Sequence, residues 1–327
     1  MYFTKTLRRL AAGAVVLSVA STAFRTASAN HGPGTSGGGS ATISGETLQQ
    51  GKFDLSLRND YTKFEDVSRQ GAERRAEKSG EFDALDSAFI TTLGGAYGVT
   101  DEFQIGAAIG YYRGDDFIDA EHDDQTGETE SSTADPDGVT DLTINAKYRL
   151  LHGKPGNLSV VGGVIAPTGK SDVRLNNAER LEPSSQPGTG EWGIQAGLGY
   201  SRFLTARVTI DASVLYTTRV KNNDFRVGDR VDLGVAVAYR FTESIKHFPN
   251  QSAFIELNTV WIGKDEDAGE TNPSSGGWTA YVTPGYRVRL TENWSLTVAP
   301  SIPFYQDLNG DQIESKFKLA VTAGFSF

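Results

Sequence analysis

The chain has no cysteine, one methionine and four histidines among its 327 residues. Without cysteine, the sequence offers no disulfide framework, no thiol nucleophile and no thiolate ligand for a metal. It also lacks any later apolar run that approaches the 18 or more residues of a membrane-spanning helix. If the chain crosses a membrane, it therefore crosses with strands.

Catalytic motifs are also scarce. The zinc-protease pattern HExxH and the P-loop do not occur. The histidines lie in the N-terminal leader, in an acidic loop and in two short connections, and none stands on a strand beside a serine as in an outer-membrane phospholipase: His31, His122, His152 and His247. We therefore predict that the protein is not an enzyme and has no cofactor.

The formal net charge is −10. The first 29 residues carry four basic side chains and no acidic one, so the remainder is near −14. An acidic chain of this kind repels nucleic acid, and nucleic acid is not expected among its partners.

The two ends of the chain indicate export and membrane insertion. Basic residues, an apolar run over 10–20 and the small residues Ala27-Ser28-Ala29 predict a signal peptide at 1–29. Residues 30–50 are rich in glycine and serine and predict a flexible periplasmic segment; the second half is also compatible with an arm in the barrel mouth. The last strand alternates apolar and small or polar residues up to a terminal Phe327, a pattern that resembles the C-terminal signature by which outer-membrane barrels meet their assembly machinery.

Residues 51–327 contain about twelve segments with a period of two, each with one apolar face. Short polar turns and long polar loops alternate between them, as in an up-and-down barrel with short periplasmic turns. The predicted fold is all-β: a transmembrane antiparallel barrel of about 12 strands.

Large aromatic residues gather at strand ends, among them Tyr97, Tyr148, Trp192, Tyr239 and Trp294. Rings at both ends of a strand are typical of the girdles that membrane barrels place at the lipid–water interfaces. In the alternative, a soluble β-sandwich, large aromatics would concentrate in the middle of strands. The pattern therefore favours the membrane.

Residues 114–138 read as a long acidic loop with ten carboxylates and no lysine or arginine. Such a loop can bind Ca²⁺ or Mg²⁺, or bridge to lipopolysaccharide through divalent ions. No twelve-residue calcium-loop spacing is present, and a solvated acidic loop is the ordinary expectation. No metal site is predicted.

The candidate functional residues are charged side chains on the inward phase of the strands. Five basic ones fall near periplasmic strand ends and one acidic one lies mid-strand, and together they predict a lumen that favours anions: Lys147, Arg149, Arg240, Arg287, Arg289 and Glu256. Mutual ion pairing is the alternative. Pro284, Pro300 and Pro303 interrupt two neighbouring strands, which predicts a bulge or kink, or alternatively a lateral opening in the wall.

Several turn and strand-end motifs resemble the outer-membrane "MetA-pathway of phenol degradation" transporter family. They are Val99-Thr100-Asp101-Glu102, Ala166-Pro167-Thr168-Gly169-Lys170, Gly190-Glu191-Trp192-Gly193, Leu290-Thr291-Glu292-Asn293-Trp294 and Ala299-Pro300-Ser301-Ile302-Pro303-Phe304. The resemblance covers roughly residues 51–327. It implies passage of small, often hydrophobic or aromatic molecules across the outer membrane, and it assigns no binding residue.

We therefore expect a passive, porin-like channel in the outer membrane of a Gram-negative bacterium, in contact with lipid and lipopolysaccharide and with a small-molecule substrate. The alternative is a structural or surface-interaction barrel with a plugged lumen and acidic, ion-binding outer loops. Electrical conductance separates the two.

Overall fold

Twelve long antiparallel strands make a closed barrel in the computed structural model, which describes residues 39–222, 224–242 and 247–327. The predicted fold class is confirmed. In chain order the barrel strands are β1 (Phe53–Phe64), β2 (Glu81–Gly98), β3 (Phe103–Asp123), β4 (Leu142–Leu151), β5 (Asn157–Ala166), β6 (Gly193–Phe203), β7 (Val208–Arg219), β8 (Arg230–Arg240), β9 (Asn250–Ile262), β10 (Gly277–Arg289), β11 (Trp294–Leu308) and β12 (Ser315–Ser326).

The first and last strands close the barrel. β1 pairs with β2 on one side and with β12 on the other. Past the end of β12, the amide of Phe53 donates to the carbonyl of Phe327 at 2.8 Å, and the amide of Phe327 donates back to Phe53 at 2.9 Å. Closure leaves no barrel strand with an unpaired edge, which is the condition for a sheet to stand in lipid.

The two faces of each strand differ as the sequence predicts. On β8, Val235 is 46 % exposed on the outer face, whereas Ala236 is fully buried toward the lumen. The same alternation leaves large apolar side chains exposed around the outside of the barrel. An apolar outer surface of this kind is suited to contact with lipid chains.

Aromatic rings mark the ends of the barrel. At the seam between β1 and β12, the rings of Phe53 and Phe327 stack with centroids 5.3 Å apart, and Phe53 also lies 4.4 Å from Tyr97. This end carries the short turns, so it is the periplasmic end. Among the described residues, no helix is both long and apolar enough to span a bilayer.

The outer end carries a folded extension rather than loose loops. β2 and β3 have 18 and 21 residues, about twice the 9–11 that cross a bilayer. A short strand, Glu128–Ala134, returns along the end of β3. Residues 114–138 are therefore mostly strand, and the prediction of a loop there is wrong. Strands that are polar on both faces lack the apolar periodicity from which we identified the others.

A helix, α1 (Arg69–Ser79), covers this extension and was not predicted. Its N-cap is Ser68, whose hydroxyl accepts a hydrogen bond from the amide of Gly71 at 3.2 Å. The buried Ala72 and Ala76 pack with Phe82 of β2 and with Phe117 of β3 in an apolar cluster. The outer end thus has a small hydrophobic core of its own.

Pairing between β10 and β11 is irregular where the three prolines lie. Tyr281 pairs with Pro303 and Val282 with Ile302, and the next pair is Tyr286 with Val298. Pro284 and Pro300 lie in the unpaired gap between them. A bulge lies next to Pro303, between Ala280 and Tyr281. Because proline donates no backbone hydrogen bond, the ladder cannot continue through these positions.

Candidate functional site in the lumen

Residues Gly39–Gln50, here called the plug segment, lie inside the barrel against its inner wall. They contact strands on all sides of the lumen before the chain enters β1. For residues 39–50 this corrects the prediction of a flexible periplasmic segment; residues 30–38 and the predicted signal peptide lie outside the described residues. A run of glycine and serine indicates flexibility only while its backbone groups have no partners, and here the wall supplies them.

The N-terminal end of the plug segment is bound by one carboxylate. Glu256 on β9 is fully buried and accepts hydrogen bonds from three successive backbone amides: Ser40 at 2.8 Å, Ala41 at 3.0 Å and Thr42 at 2.6 Å. The hydroxyl of Thr42 also donates to it at 2.6 Å. Consecutive amides that converge on one anion are a strong arrangement, since hydrogen bonds to charged groups exceed neutral ones.

Close approach at this end requires glycine. A Cβ built on Gly39 would lie 2.3 Å from the carboxyl carbon of Glu256. On the wall, a Cβ on Gly199 of β6 would lie 2.7 Å from the carbonyl oxygen of Ser44 and 2.8 Å from that of Ile43. Both glycines therefore allow the backbone of the plug segment to touch its surroundings.

The middle of the plug segment is held by hydroxyl groups and one ammonium. The amide of Ile43 donates to the Ser213 hydroxyl at 3.0 Å, and that of Gly45 to the Ser201 hydroxyl at 2.7 Å. Lys147 donates to the carbonyl of Ser44 at 3.1 Å. These partners belong to β7, β6 and β4, so this stretch reaches a second part of the wall.

The C-terminal end of the plug segment is fixed at the periplasmic mouth of the barrel. The amide of Leu48 donates to Gln104 of β3 at 2.9 Å. Thr47 and Gln50 both bond to Asp101 in the β2–β3 turn, at 2.6 and 2.9 Å. Leu48 is 2 % exposed and packs on Ala96. The plug segment therefore runs from mid-lumen to the mouth with a partner at nearly every step.

The structure places the predicted basic residues on the lumenal phase and gives them two kinds of contact. Lys147 and Arg287 bind plug carbonyls, Arg287 donating to Gly39 at 3.2 Å. Arg240 and Arg289 donate to carbonyls of the periplasmic turns, at Thr242 (2.9 Å) and Glu292 (3.2 Å). Arg149 is half-buried at the end of β4. The sequence identified this set, and it offered an arm in the barrel mouth as an alternative for the second half of residues 30–50, but it did not connect the two.

An open recess lies on the outer side of the plug segment. The side chains around it leave about 50 Å³ of enclosed space, and the rest of the recess is continuous with solvent. Its floor is formed by Ser40, Ala41 and Glu256, and its walls include Arg58, Tyr281, Thr283, Ser301 and Lys318. Lys318 lies over the Tyr281 ring, with its ammonium 4.2 Å from the centroid.

A closed twelve-strand barrel with an apolar outer band defines a protein of the outer-membrane type. The sequence profile described as "Putative MetA-pathway of phenol degradation" matches residues 32–248, about two thirds of the chain, and the chain belongs to this family. The match includes the plug segment. The resemblance seen in the sequence is thereby confirmed.

A solved structure with a TM-score above 0.5 supports the fold. The COG4313 outer-membrane channel from Pseudomonas putida F1 is similar over 86 % of this chain and 97 % of its own, with 15 % identity and a TM-score of 0.60. A monoaromatic hydrocarbon channel, CymD, is similar over 86 % and 89 %, with 10 % identity and a TM-score of 0.40. None of the curated proteins matches. Both neighbours are described as channels.

Proposed function

We propose that the protein is a passive outer-membrane channel that is closed at rest by the plug segment. The observation that carries this proposal is the kind of contact that holds the plug segment in the lumen. Glu256, Ser213, Ser201, Lys147 and other polar side chains hold the segment by hydrogen bonds rather than by an apolar core. Water that enters an opened lumen can replace such bonds, at small net cost for the neutral ones and at a larger cost for those to Glu256, so the segment can leave without unfolding the barrel.

The proposed cargo is a small hydrophobic or aromatic molecule. The family description supports this class. The recess adds a ring face at Tyr281 beside hydroxyl groups, with Thr283 donating to Ser301 at 2.7 Å. A ring that carries a hydroxyl or carboxyl group would find both kinds of partner there. Entry is from outside, and the recess is the last space before the plug segment.

Charge in the opened lumen would favour anions. Displacement of the plug segment releases Lys147 and Arg287 from the Ser44 and Gly39 carbonyls. Basic groups in a narrow lumen with a low-dielectric wall attract anions and repel cations. Glu256, which loses its amide partners at the same time, opposes this effect over part of the path.

A reversible cross-link tests whether the plug segment is the gate. The chain has no cysteine, so Thr42→Cys with Gly234→Cys introduces one defined pair. These sites are neighbours, because a Cβ on Gly234 would lie 3.3 Å from the Thr42 Cα. We expect the oxidised protein in planar bilayers to stay closed, and reduction to restore openings. Equal conductance in both states contradicts the gate; Thr42→Cys alone is the control.

The cargo is tested separately. Liposomes containing the plug-displaced channel are exposed to gradients of phenol or benzoate and of a hexose of similar size. We expect faster aromatic entry relative to empty liposomes, and little sugar entry. Equal rates for all three solutes would support a channel without the proposed preference.

A structural barrel with a permanent plug is the second candidate. It is favoured by the number of hydrogen bonds that hold the segment. Glu256 alone accepts four of 3.0 Å or less from Ser40, Ala41 and Thr42, and a fifth, at 3.0 Å, from Asn258 on its own strand. If the reduced cross-link variant shows no openings at any voltage, this candidate replaces the channel. Contact with lipopolysaccharide and with the assembly machinery at Phe327 remain predictions under either candidate.

A further inference from the structure

Carboxylates face each other across the outer extension of β2 and β3. Asp83 pairs in register with Asp119, and Glu81 pairs with Glu121. These positions lie beyond the stretch of β2 and β3 needed to cross the bilayer. Like charges directly opposite each other destabilise a sheet, so the Asp83–Asp119 pair calls for a compensating group.

Asp83 is the strongest indication that such a group binds here. It is only 3 % exposed, and its Oδ1 has no hydrogen-bond partner among the described residues. The charged groups that act on it most are all acidic, with Asp119 first. A buried carboxylate oxygen without a donor is costly, and the carboxylate of Asp83 lies beside those of Glu81 and Asp119.

A fourth carboxylate approaches from another part of the chain. Glu182 follows β5 in a long outer loop, and its Oε2 is buried with no hydrogen-bond partner in the described structure. Burial and the negative charge of Glu81 raise the pKa of Glu182 well above its ordinary value. Burial, with Glu121 and Glu179, raises the pKa of Asp119 to about 7. Glu81, Asp83, Asp119 and Glu182 are here called the outer carboxylate cluster.

The spacing of Glu81, Asp83 and Asp119 suits one calcium ion. One oxygen each from Glu81, Asp83 and Asp119 lie within 4.8 Å of one another. Oxygens bound to the same Ca²⁺ at 2.3–2.6 Å are at most roughly 5 Å apart. Mg²⁺ binds at shorter distances and retains most of its water, which fits a buried, carboxylate-rich position less well.

We propose that the outer carboxylate cluster binds one Ca²⁺ ion and thereby fastens the loop that carries Glu182 to the β2–β3 extension. The loop is already bonded to the returning strand, where the amide of Asn176 donates to the carbonyl of Thr133 at 2.9 Å. The ion would add a second attachment, at Glu182. The outer mouth of the barrel would then be rigid in calcium and looser without it, whether or not the lumen conducts.

Calcium titration of the refolded full-length protein in detergent tests the proposal. We expect one site by calorimetry, and Tb³⁺ luminescence that Ca²⁺ displaces. Asp83→Asn with Asp119→Asn should raise Kd at least tenfold. The control variant, Asp124→Asn with Glu128→Gln, changes two exposed carboxylates at the tip of the same hairpin and should bind as the parent does.

Thermal unfolding gives a readout that misfolding cannot imitate. In EDTA, the Asp83→Asn variant should melt at a higher temperature than the parent, because a like-charge contact is removed. In saturating Ca²⁺ the order should reverse, because a ligand is removed. No calcium-dependent shift in the parent, or the same shift in parent and Asp83→Asn, would overturn the proposal and leave protonation as the way the cluster is neutralised.

Discussion

Glu256 accepts hydrogen bonds from both the amide and the hydroxyl of Thr42, each at 2.6 Å, although 214 residues separate the two in sequence. One lies at the start of the described chain, and the other in the middle of a strand on the barrel wall. On its own strand Glu256 has one hydrogen-bond donor, the side-chain amide of Asn258 at 3.0 Å. Its other partners come from the plug segment.

Glu256→Gln should therefore release the plug segment. The amide group keeps one acceptor but loses the charge that strengthens each hydrogen bond, at a cost of about 1–3 kcal/mol in the closed state. We expect more frequent openings in planar bilayers, by roughly fivefold to a hundredfold. Glu292→Gln, in an exposed periplasmic turn, is the control and should open no more often than the parent. Unchanged opening of Glu256→Gln would show that this carboxylate does not hold the gate.

Gly199→Ala should displace the plug segment by contact rather than by charge. The new methyl group would lie 2.7 Å from the backbone of Ser44, which must move. The control is Gly162→Ala on the neighbouring strand β5, where a Cβ meets nothing within 4 Å. Both proteins should fold, as shown by a shift in gel mobility on boiling. Only Gly199→Ala should raise conductance and expose the segment to protease.

Much of the barrel was predictable from the sequence because lipid imposes a simple rule. Alternate residues must be apolar where they meet acyl chains, so the phase of Val235 and Ala236 could be read directly. The prolines of β10 and β11 likewise act through their own backbone. The same rule carries no information beyond the bilayer, which is why the strand over residues 115–123 and helix α1 were missed.

The position of the plug segment could not be predicted from its own residues, for a different reason. Its residues are small and polar, and such a stretch is equally compatible with disorder. What orders it are partners far along the chain, including Glu256 and Ser213. One signal was present in hindsight: Gly199 and Gly234 lie on lumenal positions where a side chain would otherwise be expected, and both make room for the segment.

Val235→Arg tests the outer face. A cation near the bilayer midplane should cost about 2–4 kcal/mol of folding free energy in a membrane barrel. Val235→Leu keeps the position apolar and should change stability little. Reversible unfolding in urea in the presence of lipid vesicles measures both. Equal stability of the two variants would mean that Val235 does not face lipid.

Arg287→Gln with Arg289→Gln tests charge selectivity, and it must be made in a channel whose plug segment is displaced, because Arg287 otherwise contacts Gly39. We expect a mild anion preference in a salt gradient, and a shift of the reversal potential toward cations in the double variant. A reversal potential that does not move would assign these arginines to the attachment of the plug segment and the β10–β11 turn alone.

Deletion of residues 39–48 tests the central claim most directly. The deletion removes the contacts to Glu256, Ser213, Lys147 and Gln104 while leaving β1 and all barrel pairing intact. Gel mobility that shifts on boiling shows first that the barrel has formed. Single-channel recording should then give long-lived open levels for the deletion protein and a mostly closed lumen for the full chain. A folded deletion protein that stays electrically silent would contradict a channel closed by the plug segment.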